Sequence, residues 1–413
     1  MMEEKELIHD WNVVGNEIST PLRSVELDDE TLRDGLQDPS VTDPPLEDKI
    51  HLLHLMEGLG IHTAAIGLPG AGPRAVRDVT ALAREIVEAK LRIRPNCAAR
   101  TVLADIRPIV EISQAVGVAI EACTFIGSSP IRQYVEGWTL ERMLTTSEEA
   151  VTLAVREGIP VMFVTEDTTR ARPETLKALY GRAIEWGARR ICLADTVGHA
   201  TPAGTRALVQ FVKDEIVGPS GEDVKVDWHG HRDRGYGLAN ALAAMEAGAD
   251  RIHGTALGIG ERCGNVEMEL LLVNLALEGL HTGDLTGLPE YCEAAARAVS
   301  LPIAAGAPVV GRDAFRTATG VHAAAIVKAE AKGDRWLADR VYSGIPASMV
   351  GRRQEIEIGP MSGLSNVKYW LRARGHDPED EESGRRIFEA AKRSNHTLTE
   401  EEITALMRAG SAP

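Results

Sequence analysis

The sequence predicts an α/β chain built as a TIM (β/α)8 barrel followed by a smaller α-rich C-terminal lobe. Between about residues 24 and 265, short apolar runs alternate with longer amphipathic segments, the pattern of repeated βα units around a parallel sheet. Eight such runs occur, the number that closes a barrel over this length. No GxGxxG turn follows the first run, which disfavours an open doubly wound sheet.

The predicted strands are SVELDD (24–29), HTAAIGL (62–68), RIRPNCAA (92–99), GVAIEACTF (117–125), IPVMFVTE (159–166), RRICLAD (189–195), DVKVDWHGH (223–231) and RIHGTAL (251–257). The segments between them carry helical spacing. In AVRDVTALAREIVEAKL, Val76, Val79, Leu82, Ala83, Ile86 and Val87 fall on one face. GLPGAGP (67–73) lacks both GxGxxG spacing and a phosphate-binding lysine, so it reads as a tight βα turn. After the barrel come GRDAFRTATGVHAAAIVKAEA (311–331), VYSGIPASMVGRRQEIEIGPMSGLSNVKYWL (341–371), an acidic linker DPEDEE (377–382), and a helix TLTEEEITALM with Thr399 as N-cap and Glu402 three residues on. The expected organisation is an N-terminal arm (1–23), a catalytic barrel (24–290) and an α-rich lobe (291–413).

Lys plus Arg number 45 against 61 Asp plus Glu, a formal charge of −16, which argues against a nucleic-acid partner. Five cysteines without a CxxC give neither a disulfide framework nor a cysteine zinc site. The N-terminus shows no secretory pattern and no run is long enough to span a bilayer, so a cytoplasmic protein without a membrane partner is expected.

Reactive groups in such barrels come from the C-terminal ends of strands. The seventh unit ends WHGHRDRG, where His229 and His231 are two apart on an extended chain and point to one side. Alone, an HxH is more often structural than metal-binding. The first unit, however, ends DETLRDGLQ, with Arg33 and Asp34 side by side, and the eighth ends GIGERCGN, with Asn265 in a glycine-rich loop. A carboxylate, two imidazoles and an amide oxygen make a mixed N/O site for Mg, Mn or Zn. The bland alternative for Asp34 is a helix N-cap.

DETLRDGLQ, HGHRDRG with LANALAAMEAGAD, and HGTALGIGERCGN together resemble the signatures of the DRE-type TIM-barrel metalloenzymes: 2-isopropylmalate, homocitrate and citramalate synthases, and 3-hydroxy-3-methylglutaryl-CoA lyase. Glu166 with Asp167, and DTVGHATP (195–202), also match, and the resemblance covers about residues 24–370. It implies a divalent ion on Asp34, His229, His231 and Asn265, acetyl-CoA as co-substrate, and a 2-oxo acid acceptor bound through Thr196. Gln37 and Arg100 are further substrate-binding candidates. The region after the barrel, which the lyases lack, resembles the synthase segments that supply a catalytic histidine, matching His322, and a catalytic tyrosine, matching Tyr342. A homodimer whose lobe reaches over the partner barrel is implied.

The implied reaction is deprotonation of acetyl-CoA by His322, oriented by Glu166, attack on the oxo carbon, proton donation by Tyr342, and hydrolysis of the thioester to a 2-substituted malate and CoA. Arg33 would stabilise the developing oxyanion. Bland readings stand beside these. His322 is a core histidine, Tyr342 a core or interface tyrosine, Glu166 or Asp167 caps a helix or pairs with Arg170, His62, His199 and His253 are structural, and Cys263 is a buried small residue in preference to a redox-sensitive thiol.

The chain also departs from the family. Ala65 replaces an acid on the second strand, Cys123 a histidine, Val164 a serine, and Arg232 breaks HxHND. A less negative pocket suits an acceptor with a second anionic group, for which Ser128, Ser129 and Arg132 form a candidate clamp. That places specialised members, such as phosphonomethylmalate or phosphinomethylmalate synthases, beside the amino-acid-pathway enzymes. The competing functions are a carbon–carbon lyase or aldolase and a non-catalytic ligand-binding barrel. No further C-terminal regulatory domain is expected.

Overall fold

The computed structural model describes residues 7–12 and 23–409, so most of the expected N-terminal arm lies outside the described residues. Eight parallel strands close in chain order: β1 (Glu26–Asp29), β2 (Thr63–Ala65), β3 (Arg94–Arg100), β4 (Glu121–Gly127), β5 (Val161–Glu166), β6 (Arg190–Asp195), β7 (Lys225–Gly230) and β8 (Arg251–Gly254). Closure is made by β1 against β8, with Asp28 opposite His253 on one side and Thr63 on the other. Six strands fall inside their predicted runs, while β3 runs one residue past its run to Arg100 and β4 two residues past to Gly127; the apolar runs mark strands whose two faces are both buried.

Side chains alternate with period two. Leu27, Phe163, Ile191, Leu193, Val226, Trp228 and Ile252 are buried hydrophobic residues of the strands. Their neighbours Cys123 and Phe125, Met162 and Val164, Cys192 and Ala194, and His229 and His231 line the cleft at the barrel mouth. Helix Pro73–Glu88 buries Val79, Leu82, Ala83 and Ile86, as its spacing requires, while Val87 is exposed. GLPGAGP forms a 3-10 turn at Pro69–Ala71 that leads straight into that helix.

The floor of the barrel is ionic, where such barrels usually hold branched aliphatic layers. Arg251 bonds Asp227 and Glu121, each at 2.6 Å, and Arg190 bonds Asp227 at 2.6 Å and Glu26 at 2.8 Å. Asn96 donates to Asp28 at 2.6 Å, and Thr63 donates to the same carboxylate. Buried charges persist only when paired, and removing one partner of such a pair typically costs about 3–5 kcal/mol.

The chain divides into two compact units. The barrel unit holds the described residues from Asp10 to Asp284 together with Glu290–Pro302; the second holds the described residues up to His9, Leu285–Pro289 and the described residues from Ile303 onward. The second unit contains helices Gly320–Ala331, Arg335–Arg340, Leu364–Ala373, Glu381–Arg393 and Glu400–Arg408, plus a small parallel sheet, β9 (Arg316–Thr317) with β10 (Glu355–Ile356). Its core gathers Ile358, Val367, Trp370, Leu371, Ile387, Ala391, Leu398 and Ile403. The acidic run at 377–382 is partly helical: Asp380 caps Glu381–Arg393 by accepting from the Ser383 amide. Thr399 and Glu402 form the expected capping box. No helix among the described residues is long and apolar enough to cross a membrane.

Candidate active site

A cleft of about 380 Å³ opens at the C-terminal ends of the strands. On the side of β1, β7 and β8 its lining is polar: Glu30, Arg33, Asp34, His229, His231 and His253. On the side of β3 to β6 it is largely apolar, with Ala98, Phe125, Val164 and Ala194 above Cys123, Met162 and Cys192. Gln37, Leu68, Asn96, Thr196, Glu166, Glu261 and Arg262 complete it.

Asp34, His229 and His231 are all buried, and their ligand atoms lie within 4.8 Å of one another. Asp34 Oδ2 is 3.6 Å from His229 Nε2 and 3.4 Å from His231 Nε2. Asp34 stands at the N-cap of the turn Gly35–Gln37 but makes no side-chain cap bond, so the bland reading does not account for its carboxylate. Asn265 donates to Asp34 Oδ2 at 2.7 Å through Nδ2, which leaves its buried Oδ1 without a partner. A carboxylate and two imidazoles within ligand reach of one another, joined by an amide whose own oxygen is unpartnered, supply donors that fit a divalent ion.

The protonation states agree. Burial, only partly offset by Glu30 and Asp34, pushes His229 down to about 3, so at neutral pH it carries a lone pair. His231 is lowered for the same first reason. Against burial, Arg33 and the two imidazoles hold the Asp34 carboxyl below its usual range. Glu30, His229 and His253 form a second group with ligand spacing. There the argument runs the other way: against burial, Asp28 and hydrogen bonds to Asp227 and Glu30 push His253 up to about 9. An imidazolium offers no lone pair, so the first group is the metal candidate and the second an ionic contact.

The loop carrying Asn265 is tied to β7. A β-bridge joins His231 to Asn265, and Arg232 donates from Nε to the Cys263 carbonyl at 2.7 Å and pairs with Glu267. Arg232 thus holds the loop that carries a ligand candidate. Gly264, at φ +86°, has no room for a Cβ, which would overlap the Gly258 carbonyl. Cys263 is exposed, contrary to its expected burial, because the loop turns that side chain outward while Arg232 takes its carbonyl.

Not every sequence-derived residue joins the cleft. Arg33, Gln37, Glu166 and Thr196 do, and Thr196 Oγ1 also accepts from the Asp167 amide at 2.8 Å. Arg100 does not line it: its guanidinium is exposed and pairs with Asp105 through two bonds of 2.8 and 2.9 Å. Ser128 and Ser129 are buried, the first bonding the Glu166 carbonyl and the second capping helix Pro130–Glu136. Arg132 is engaged by Glu136 at 3.0 Å and Glu166 at 3.2 Å. Burial raises the Glu166 pKa, and Arg132 opposes that rise. Asp167 pairs with Arg170, as its bland reading had it. His322 and Tyr342 belong to the second unit and stack with ring centroids 4.0 Å apart.

Sequence reasoning passed over Glu30 and read His253 as structural, although both line the cleft. Their positions at the ends of β1 and β8 were the available signal. Cys123 and Val164, noted only as departures, turn out to sit on one apolar wall with Met162 and Cys192.

A family model described as HMGL-like matches residues 24–293. Among curated proteins, the putative (R)-citramalate synthase CimA of Methanopyrus kandleri is 32% identical over 371 residues, 89% of this chain and 68% of that protein. The homocitrate synthase AksA of the same organism is 32% identical over 369 residues, 87% of each. Among solved structures, the HMG-CoA lyase of Bacillus subtilis superposes with a TM-score of 0.58 at 21% identity, covering 69% of this chain and 97% of its own.

Proposed function

The chain belongs to the HMGL-like family, and on that premise we propose that it condenses acetyl-CoA with a 2-oxo acid and hydrolyses the thioester, giving a 2-substituted malate and CoA. The observation that carries this is the Asp34, His229 and His231 group beside Arg33 in one cleft, with Asn265, whose buried Oδ1 has no partner, bonded to Asp34.

When bound there, a divalent ion (Mg, Mn or Zn) supplies Lewis acidity toward the carboxylate and oxo group of the acceptor. Arg33, always protonated and held at the cleft, stabilises negative charge developing on the oxo oxygen. Thr196 and Gln37 offer polar groups for the acceptor carboxylate. We assign His322 as the base that takes a methyl proton from acetyl-CoA and Tyr342 as the acid that returns one to the new alkoxide; their stacking holds the two groups side by side. Glu166 is assigned to orient His322, within a homodimer that brings lobe and barrel together. Water then adds to the thioester carbonyl and the CoA thiolate leaves with a proton.

The apolar wall of Ala98, Phe125, Val164 and Ala194 favours an acceptor with an apolar side chain. The distal anion expected from Ser128, Ser129 and Arg132 has less support, because Arg132 is already shared between two carboxylates. A lyase is disfavoured by the second unit with His322 and Tyr342. The test is release of CoA thiol from acetyl-CoA across a panel of 2-oxo acids, with and without metal. Acceptor-dependent release supports the reading, and silence across the metal-loaded panel rejects it.

A further inference from the structure

We propose that Glu30 is a positioning residue for the reaction: one carboxylate oxygen fixes Arg33 while the other faces the imidazole of His229, with His253 locking the group in place.

Glu30 follows the last residue of β1, is 3% exposed and lines the cleft. Its two oxygens have separate tasks. Oε2 takes Arg33 from both Nε at 2.7 Å and Nη2 at 2.6 Å, an arrangement that fixes the plane of the guanidinium. Oε1 lies 3.2 Å from His253 Nδ1 and 3.8 Å from His229 Nδ1. His253 is bonded in turn through Nε2 to Asp227 at 3.0 Å, so the carboxylate is anchored to the ionic floor.

Two consequences follow from these distances. Among the described residues, Asp34 is the other carboxylate paired with Arg33, 3.8 Å from Nη1. Without Glu30, the guanidinium would turn toward Asp34 and draw charge from the carboxylate that faces His229 and His231. The neighbouring strand supplies no substitute, since β2 presents Ala64 and Ala65 beside the end of β1. Secondly, His229 Nδ1 is buried without a hydrogen-bond partner, and Glu30 is the carboxylate that faces it. A proton kept on Nδ1 leaves the Nε2 lone pair on the side of Asp34, the orientation a ligating imidazole needs. Glu30 therefore serves both halves of the polar wall, and neither role requires it to touch the substrate.

The inference rests on the proposed condensation, and its test reads metal binding separately from turnover. The full-length protein and Glu30→Gln are compared for Mn2+ affinity by calorimetry, for kcat and KM toward the best acceptor, and for thermal unfolding. The amide keeps the shape and loses the charge. It is expected to weaken Mn2+ binding by about 10–100-fold, the range seen when partners of metal ligands are removed, and to lower kcat by more than it raises KM. Glu30→Asp, which keeps the charge, should recover Mn2+ affinity relative to Glu30→Gln while its kcat stays below wild type.

Wild-type Kd and kcat in folded Glu30→Gln would overturn the proposal. So would a loss of bound metal per chain with unchanged Kd and unchanged kcat per bound metal, since that marks a purely structural role. Should Glu30→Gln fail to fold, the aspartate variant decides: wild-type Kd and kcat there reject the positioning role. Absent Mn2+ binding by the wild-type protein defeats the reading of the site itself, whereas binding that Glu30→Gln fully retains defeats only the role of Glu30.

Discussion

Glu269 offers a prediction whose magnitude follows from its surroundings. It sits near the start of helix Met268–Leu277, is 4% exposed, and accepts from the Leu257 amide at 3.0 Å. Burial pushes its carboxyl from the ordinary 4.5 up to about 7, against the pull of its backbone hydrogen bonds. The folded protein therefore keeps a proton that the unfolded chain releases near pH 4.5. A raised folded pKa means that this contribution is fully present below about 4.5 and is lost as pH rises through about 7. At 1.36 kcal/mol per pKa unit, the whole window corresponds to about 3 kcal/mol. In Glu269→Gln the side chain stays neutral and its oxygen still accepts from Leu257, so that slope is removed. Urea unfolding at pH 5 and pH 8, followed by circular dichroism, isolates the effect as a difference of differences. Asp29, raised to about 6, tilts both proteins alike and cancels. The variant should gain about 2–3 kcal/mol over wild type on moving from pH 5 to pH 8. An equal difference at the two pH values would refute the assignment of a buried neutral carboxyl.

Three further predictions concern the cleft. Gly264→Ala puts a Cβ into the Gly258 carbonyl and displaces the loop bearing Asn265, so metal affinity should fall by about tenfold or more in a chain that still folds; unchanged affinity would separate Asn265 from the site. Arg132→Ala removes the cation that restrains Glu166, so the acidic limb of kcat/KM should move to higher pH; a fixed limb excludes Glu166 as the group titrating there. Val164→Asp places a charge on the apolar wall and should cut kcat/KM for branched aliphatic acceptors by about 10–100-fold while sparing short ones; an equal loss for all acceptors would remove Val164 from the side-chain pocket.

The barrel was legible because a strand buried on both faces must be a continuous short apolar run, and each of the eight runs contains most of its strand. The metal candidates were legible because a two-residue spacing across the end of β7 leaves the chain few ways to separate His229 from His231. The ionic floor was not, since Glu26, Glu121, Arg190, Asp227 and Arg251 come from five strands and meet only when the barrel closes. Arg132 shows what the sequence left implicit. Its hydroxyl neighbours suggested an anion clamp, whereas Glu136 at i+4 already marked an ion pair on the same helix. Glu30 escaped notice because its sequence neighbour Asp34 offered a more familiar role, and only the folded distances separate Asp29, Glu30 and Asp34.

The central claim is a metal-dependent condensation at the mouth of the barrel. The most direct test follows CoA thiol release from acetyl-CoA with each of a panel of 2-oxo acids, using Mg2+, Mn2+ or Zn2+, for the wild-type protein and for His229→Ala. The account predicts acceptor-dependent release by the metal-loaded wild type, none after chelation, and none from His229→Ala. Release that survives in His229→Ala at the wild-type rate would contradict it.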